Sequence, residues 1–131
     1  MGGISAVHIA SILSENLGKI EAVCDIREDR LENAKKSIPY EVVAYTDWTR
    51  LLEEIKPEVV HICTPHYLHA PMAIASMEAG ADVYLEKPAA MNYDEGLQIL
   101  EVQKKTGKKV CVSFQNRVIP TNMGAKNISD S

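Results

Sequence analysis

The feature that most constrains this chain is a regular alternation of short β-branched runs with helix-patterned segments. Strand candidates are Ile20–Cys24, Val42–Tyr45, Val59–Thr64, Val83–Glu86 and Val110–Phe114. Several are almost wholly apolar, as expected of parallel strands covered on both faces. Between them apolar residues recur at helical spacing, with start and stop signals at the ends. The first helix is expected over Ser5–Leu17, with Ile9, Ile12, Leu13 and Leu17 on one face and Gly18 as its stop. The second, Glu28–Lys36, is charged and expected to be more exposed. The third follows Asp47, a suitable N-cap, and is expected to bury Trp48, Leu51, Leu52 and Ile55. The fourth spans His69–Ala79, with Pro71 in its first turn and Gly80 closing it. The fifth opens at Asn92, with Glu95 three residues on as in a capping box, and ends at Gly107. Strict β–α alternation with short connections predicts an α/β fold built on a parallel sheet with right-handed crossovers.

At 131 residues the chain is one domain's worth. Its net charge of −4 and scattered basic residues argue against a nucleic-acid-binding face. The densest basic stretch, Lys104-Lys105-Thr106-Gly107-Lys108-Lys109, reads as a helix end, where cations complement the negative terminus. No apolar run approaches the roughly 20 residues that span a bilayer, and no secretory signal is seen, so no membrane partner is expected. Cys24, Cys63 and Cys111 each sit in an apolar, strand-like run. Their odd count and wide spacing fit neither a disulfide framework nor a zinc cluster, and they read as reduced core thiols of a cytoplasmic protein.

The chain opens on Met1-Gly2-Gly3-Ile4-Ser5, which resembles the second half of a phosphate-binding turn leading into a helix. The first glycine of the G-x-G-x-x-G pattern is absent, and taken alone the stretch fits a plain chain start equally well. Asp25 closes its strand near the spacing at which an acidic residue meets the adenosine ribose 2′-hydroxyl. A carboxylate there repels a 2′-phosphate and favours NAD. Arg27 and Arg30 close by would offset that preference, which leaves NADP open, and a simple strand-end role for Asp25 stands beside it. Three successive strands then end in polar clusters: Thr64-Pro65-His66, Glu86-Lys87-Pro88 and Gln115-Asn116-Arg117. Ligands of open parallel sheets bind at that edge, so a Rossmann-type doubly wound sheet is the expected architecture. His66 and His69 lie three apart, but only Glu86 could join them as a ligand, so no metal site is expected. His8 in the first helix and His61 inside a strand read as structural, His61 as a satisfied core residue.

Two runs carry a family resemblance. Val60-His61-Ile62-Cys63-Thr64-Pro65-His66-Tyr67-Leu68-His69 resembles the fourth strand and following turn of the Gfo/Idh/MocA oxidoreductases, relatives of glucose–fructose oxidoreductase and inositol dehydrogenase. Gly80-Ala81-Asp82-Val83-Tyr84-Leu85-Glu86-Lys87-Pro88 resembles their fifth strand and signature. The resemblance extends from Gly2 to about Arg117 and implies roles for individual residues. Gly2, Gly3 and Ile4 would lie against the pyrophosphate, with Asp25 and Arg27 at the adenosine ribose. Thr64, Pro65, His69 and Asn116 would line the dinucleotide, and Glu86 would approach the nicotinamide ribose. Lys87 would hydrogen-bond the substrate hydroxyl as hydride leaves, with Arg117 also on the substrate side. A cis bond before Pro88 is admissible, because only X–Pro makes that form cheap.

Against this pattern the first strand and first glycine are missing, and residues 118–131 are polar, interrupted by Pro120 and Gly124. The expected division is a nucleotide-binding domain over residues 1–117, and the start of a second domain or a frayed tail after it. A central strand would bury about five or six apolar side chains at roughly 1.5–3 kcal/mol each. The chain alone is therefore expected to be marginally stable, and inactive without the domain that supplies substrate contacts and subunit association. The functional expectation is the NAD(P)-binding part of an oxidoreductase acting on a sugar, polyol or related hydroxy compound. The alternative is a non-catalytic dinucleotide- or sugar-binding module.

Overall fold

The computed structural model describes residues 2–114. The order of elements is α1 (Gly3–Ser14), β1 (Ala22–Cys24), α2 (Glu28–Ser37), β2 (Val43–Tyr45), α3 (Trp48–Ile55), β3 (Val59–Ile62), α4 (His69–Glu78), β4 (Asp82–Glu86), α5 (Tyr93–Thr106) and β5 (Val110–Ser113), with one 3-10 turn at His66–Leu68. Every element anticipated from periodicity forms among the described residues.

Local chemistry explains the ends. Asp47 caps α3 by accepting the Thr49 N–H at 2.9 Å; the Thr49 hydroxyl at 2.7 Å, and then that N–H, hold its carboxyl below the ordinary value. Asn92 and Glu95 form a reciprocal cap on α5: Asn92 Oδ1 accepts the Glu95 N–H at 2.9 Å, and Glu95 Oε2 accepts the Met91 N–H at 2.8 Å. Gly107, at φ 70°, closes the same helix in the left-handed region. The first helix differs from expectation. It starts at Gly3 and stops at Ser14, because Asn16 takes up φ 51° ahead of Gly18, and Leu17 is left exposed. In α3 only Leu52 is fully buried, with Trp48, Leu51 and Ile55 half-covered.

All pairings are parallel, in two ladders with orders β1-β2 and β3-β4-β5. The expected continuous sheet is thus divided among the described residues. The break lies between β1 and β3, where the doubly wound order 3-2-1-4-5-6 places its first strand. Each ladder has its own core. Val23 packs with Ile9 of α1, Leu31 and Ala34 of α2, Ile38 and Val42. Ile62, Val83 and Leu85 pack under Ala70, Ala73 and Met77 of α4 and Ile99 of α5. Side chains alternate across a strand. Val83 and Leu85 therefore face α4 and α5, while Tyr84 and Glu86 point the other way and meet His8 of α1. Helices α4 and α5 cover one face of this ladder; α1 reaches the other through His8, and Val59, His61 and Cys111 stay exposed there.

Candidate functional site

In the β3–β4–β5 ladder the chain leaves β3 at Cys63-Thr64-Pro65 and the neighbouring β4 at Lys87-Pro88, on one edge because the strands are parallel. Asp25 follows β1 directly, and Gly2 stands at the N-terminus of α1. Gly2 caps that helix without a side chain, and a Cβ built on Gly2 or Gly3 would meet nothing within 4 Å. Backbone N–H groups at such a terminus attract anions. Ser5 steadies the turn, its hydroxyl donating to the Gly2 carbonyl at 2.7 Å, and Ile4 is half-buried beside it.

The Asp25 side chain is 6% exposed. Its Oδ1 accepts the Arg27 N–H at 3.0 Å and its Oδ2 lies 3.7 Å from Arg30 Nη1. Arg27 turns elsewhere. Its guanidinium grips Asp29 through two contacts of 3.0 and 2.6 Å, which holds the Asp29 carboxyl below its usual range.

Thr64 Oγ1 is buried and has no hydrogen-bond partner among the described residues. An orphaned hydroxyl is costly unless a ligand or water completes it. His69 is fully buried, with Nδ1 2.6 Å from the Pro88 carbonyl and Nε2 3.0 Å from that of Thr64. Both ring nitrogens face backbone, so His69 braces the edge from beneath instead of opening onto it. Among the described residues no three metal-ligating side chains gather to hold an ion.

Glu86 is also inside. Its Oε1 lies 3.0 Å from His8 Nε2, and its Oε2 accepts the Lys87 N–H at 3.3 Å. The Lys87 side chain is its opposite: exposed, without an ion pair among the described residues, and followed by a cis peptide to Pro88. Burial and the Glu86 charge push the Cys63 thiol up to about 11, with Sγ 3.6 Å from His8 Nδ1. His61 is not a core residue. Much of it is open to solvent on the outer strand of its ladder, its ring stacked on Tyr84 at 5.0 Å; the partial enclosure of the ring by these neighbours, and then the charge of His8, lower its pKa. Cys111 is likewise exposed. Asn116 and Arg117 lie outside the described residues.

Sequence reasoning left His8 without a part in the site, although it is the partner that turns Glu86 inward. Its signal was available: Ser5, His8 and Ile9 share one helical face, and Ser5 and Ile9 are the buried residues of α1.

Residues 1–114 match Gfo/Idh/MocA, described as the oxidoreductase family with an NAD-binding Rossmann fold. The chain belongs to this family. Inositol 2-dehydrogenase of Salmonella paratyphi B is 31% identical over 133 residues, covering 100% of this chain and 40% of that protein. Alpha-N-acetylgalactosaminidase of Bacteroides fragilis is 34% identical over 105 residues, 75% of this chain and 24% of that protein. Among solved structures, the WlbA dehydrogenase of Chromobacterium violaceum in complex with NADH and UDP-GlcNAcA superposes with a TM-score of 0.89 at 28% identity. That match covers 96% of this chain and 36% of that one. The chain therefore spans about 40% of the length of the inositol 2-dehydrogenase it resembles. The Gfo/Idh/MocA assignment agrees with the two runs that carried the resemblance, and the fold is the Rossmann fold anticipated from the β–α alternation.

Proposed function

We propose that this chain binds NAD(H) along the carboxyl edge of its strands, as the nucleotide-binding part of an oxidoreductase. The whole enzyme would transfer hydride between nicotinamide and a sugar, polyol or related hydroxy compound. The observation that carries the reading is the buried Thr64 hydroxyl, which has no hydrogen-bond partner among the described residues, at the same sheet edge as the exposed Lys87, which has no ion pair among them. One group awaits a polar ligand, and the other is exposed to meet a second.

The residues present fit the dinucleotide. Gly2, Gly3 and Ile4 would hold the pyrophosphate at an N-terminus with nothing in its way. Asp25 would accept hydrogen bonds from the adenosine ribose, and its negative charge selects NAD over NADP. Arg27 is turned toward Asp29, while Arg30, 3.7 Å from Asp25, partly offsets that charge. Thr64 and Pro65 would line the nicotinamide half, and Asn116 would extend that wall. When bound, NAD supplies the hydride acceptor. Lys87 then hydrogen-bonds the substrate oxygen and stabilises the negative charge that develops there, with Arg117 as a further substrate contact. Glu86 serves from inside: its carboxylate bonds the Lys87 N–H and His8, and so fixes the backbone from which Lys87 projects. Three free cysteines suit a reducing cytoplasm, and no described helix is long and apolar enough to cross a membrane.

Titration with NADH tests the reading. Enhanced NADH fluorescence and a raised melting temperature are expected, with NADPH at least about 10-fold weaker because Asp25 opposes its phosphate. No response to either nucleotide would overturn it. Binding by this chain, with no turnover of any polyol by a whole enzyme that carries it, would favour the non-catalytic module.

A further inference from the structure

The backbone ladder between β3 and β4 ends at the Ile62–Leu85 pair. Beyond it the Thr64-Pro65 and Lys87-Pro88 turns diverge from their strands, and the side chain that spans them is His69. We propose that His69 is a positioning residue whose ring sets the spacing of the Thr64 and Pro88 carbonyls, and through them the distance from the Thr64 hydroxyl to the Lys87 ammonium. The proposal rests on the dinucleotide reading for its consequence, though not for its geometry.

Three other roles are excluded by the contacts themselves. A helix cap accepts from the N–H groups of its own first turn. His69 opens α4 but contacts carbonyls five residues before it and nineteen after. A metal ligand needs a nitrogen with a free lone pair, and both nitrogens here are directed at oxygens. A direct cofactor contact needs an accessible edge, and His69 is 0% exposed.

The brace is directional. Carbonyl oxygens only accept and a neutral imidazole carries one N–H, so the ring donates to one of the two carbonyls and rests its other nitrogen against the second. At a position closed to solvent no water replaces a lost donor, so removing the ring strands the carbonyl that received its N–H and frees the other turn from its contact. Thr64 carries the orphaned hydroxyl and Pro88 follows Lys87 directly. A shift at either carbonyl is therefore passed to a functional side chain within one residue. This gives the Thr-Pro-x-x-x-His run a mechanical reason to accompany the Glu-Lys-Pro run.

Two substitutions in the full chain separate this from a generic packing role. His69→Leu keeps an apolar filler and removes the N–H and both polar contacts. His69→Asn restores an amide donor near the position of Nδ1. With NADH as probe, His69→Leu should lose about 10-fold in affinity, and His69→Asn should recover a substantial part of it. Independently of any nucleotide, the Thr64, Lys87 and Ala89 backbone resonances should shift in His69→Leu and return toward wild type in His69→Asn. Wild-type affinity in His69→Leu, or an Asn variant no better than Leu in both measurements, would overturn the proposal. If wild type itself fails to bind NADH, the dinucleotide reading falls and the resonances alone decide the brace. If His69→Leu does not fold, His69→Gln, which places its amide near Nε2, takes its place. Equal displacement of both turns in the Asn and Gln variants then counts against the brace.

Discussion

Glu86 and Lys87 are adjacent, and strand alternation sends them into different solvents. Glu86 lies on the face that α1 covers, where His8 and a backbone N–H satisfy its carboxylate; Lys87 leaves the strand and stands in water. In a whole enzyme that carries this domain, the proposed role means that Lys87→Met should leave NADH affinity within about threefold while lowering turnover of a hydroxy substrate by ~10²–10⁴. Fluorescence titration beside a steady-state assay checks the split. The cysteines provide a second residue-scale contrast. Only the thiolate is nucleophilic, and the Cys63 thiol is pushed up to about 11 by burial and by Glu86. Cys111 is exposed. With iodoacetamide at pH 8, mass mapping should find Cys111 modified first and Cys63 last. The rate at Cys63 should climb as pH rises toward 11, the direction in which its thiolate fraction grows.

At the scale of elements, α5 owes its sharp start to the Asn92–Glu95 exchange. Asn92→Ala should cost about 1 kcal/mol, read as a lowered midpoint in urea with an unchanged slope. The cap of α3 titrates. Hydrogen bonds from Thr49 hold the Asp47 carboxyl below its ordinary value of 3.8. A carboxyl depressed by folding contributes stability above its unfolded pKa and loses it as pH falls through the folded one. The Thr49 amide resonance should accordingly move toward its uncapped position only below about pH 4, with α5 reporting no such event at Asn92, which does not ionise.

Among the described residues, β4 is the strand with a partner on each side, α4 and α5 on one face and His8 of α1 on the other. Leu85 at its centre is 0% exposed, so Leu85→Ala should destabilise by about 2–5 kcal/mol. Its amides should be the slowest to exchange with deuterium, and those of the exposed Val59–His61 stretch of β3 faster. Helix α1 holds a different place: Ile9 belongs to the core over β1, and His8 lies over β3 and β4. It is shared by the two ladders, as is α3, which lies on β1 and β2 while its Trp48 packs against the core of the other ladder.

How far the sequence carries can be judged from these residues. Order and type of elements, the caps at Asp47 and Asn92, the stops at Gly80 and Gly107, and the edge bearing Thr64 and Lys87 were all legible, because each depends on spacing or on a local backbone demand. The burial of His69 and Glu86, the exposure of His61 and Cys111, and the part played by His8 were not. Those depend on which strand face a residue occupies and which distant helix covers that face. His8 and Glu86 are 78 positions apart, and the contact exists only once α1 has packed against β4. Local periodicity determined that this chain winds strand and helix into a nucleotide-binding edge. Tertiary packing alone decided which of its polar residues face a ligand and which are enclosed to hold the others in place.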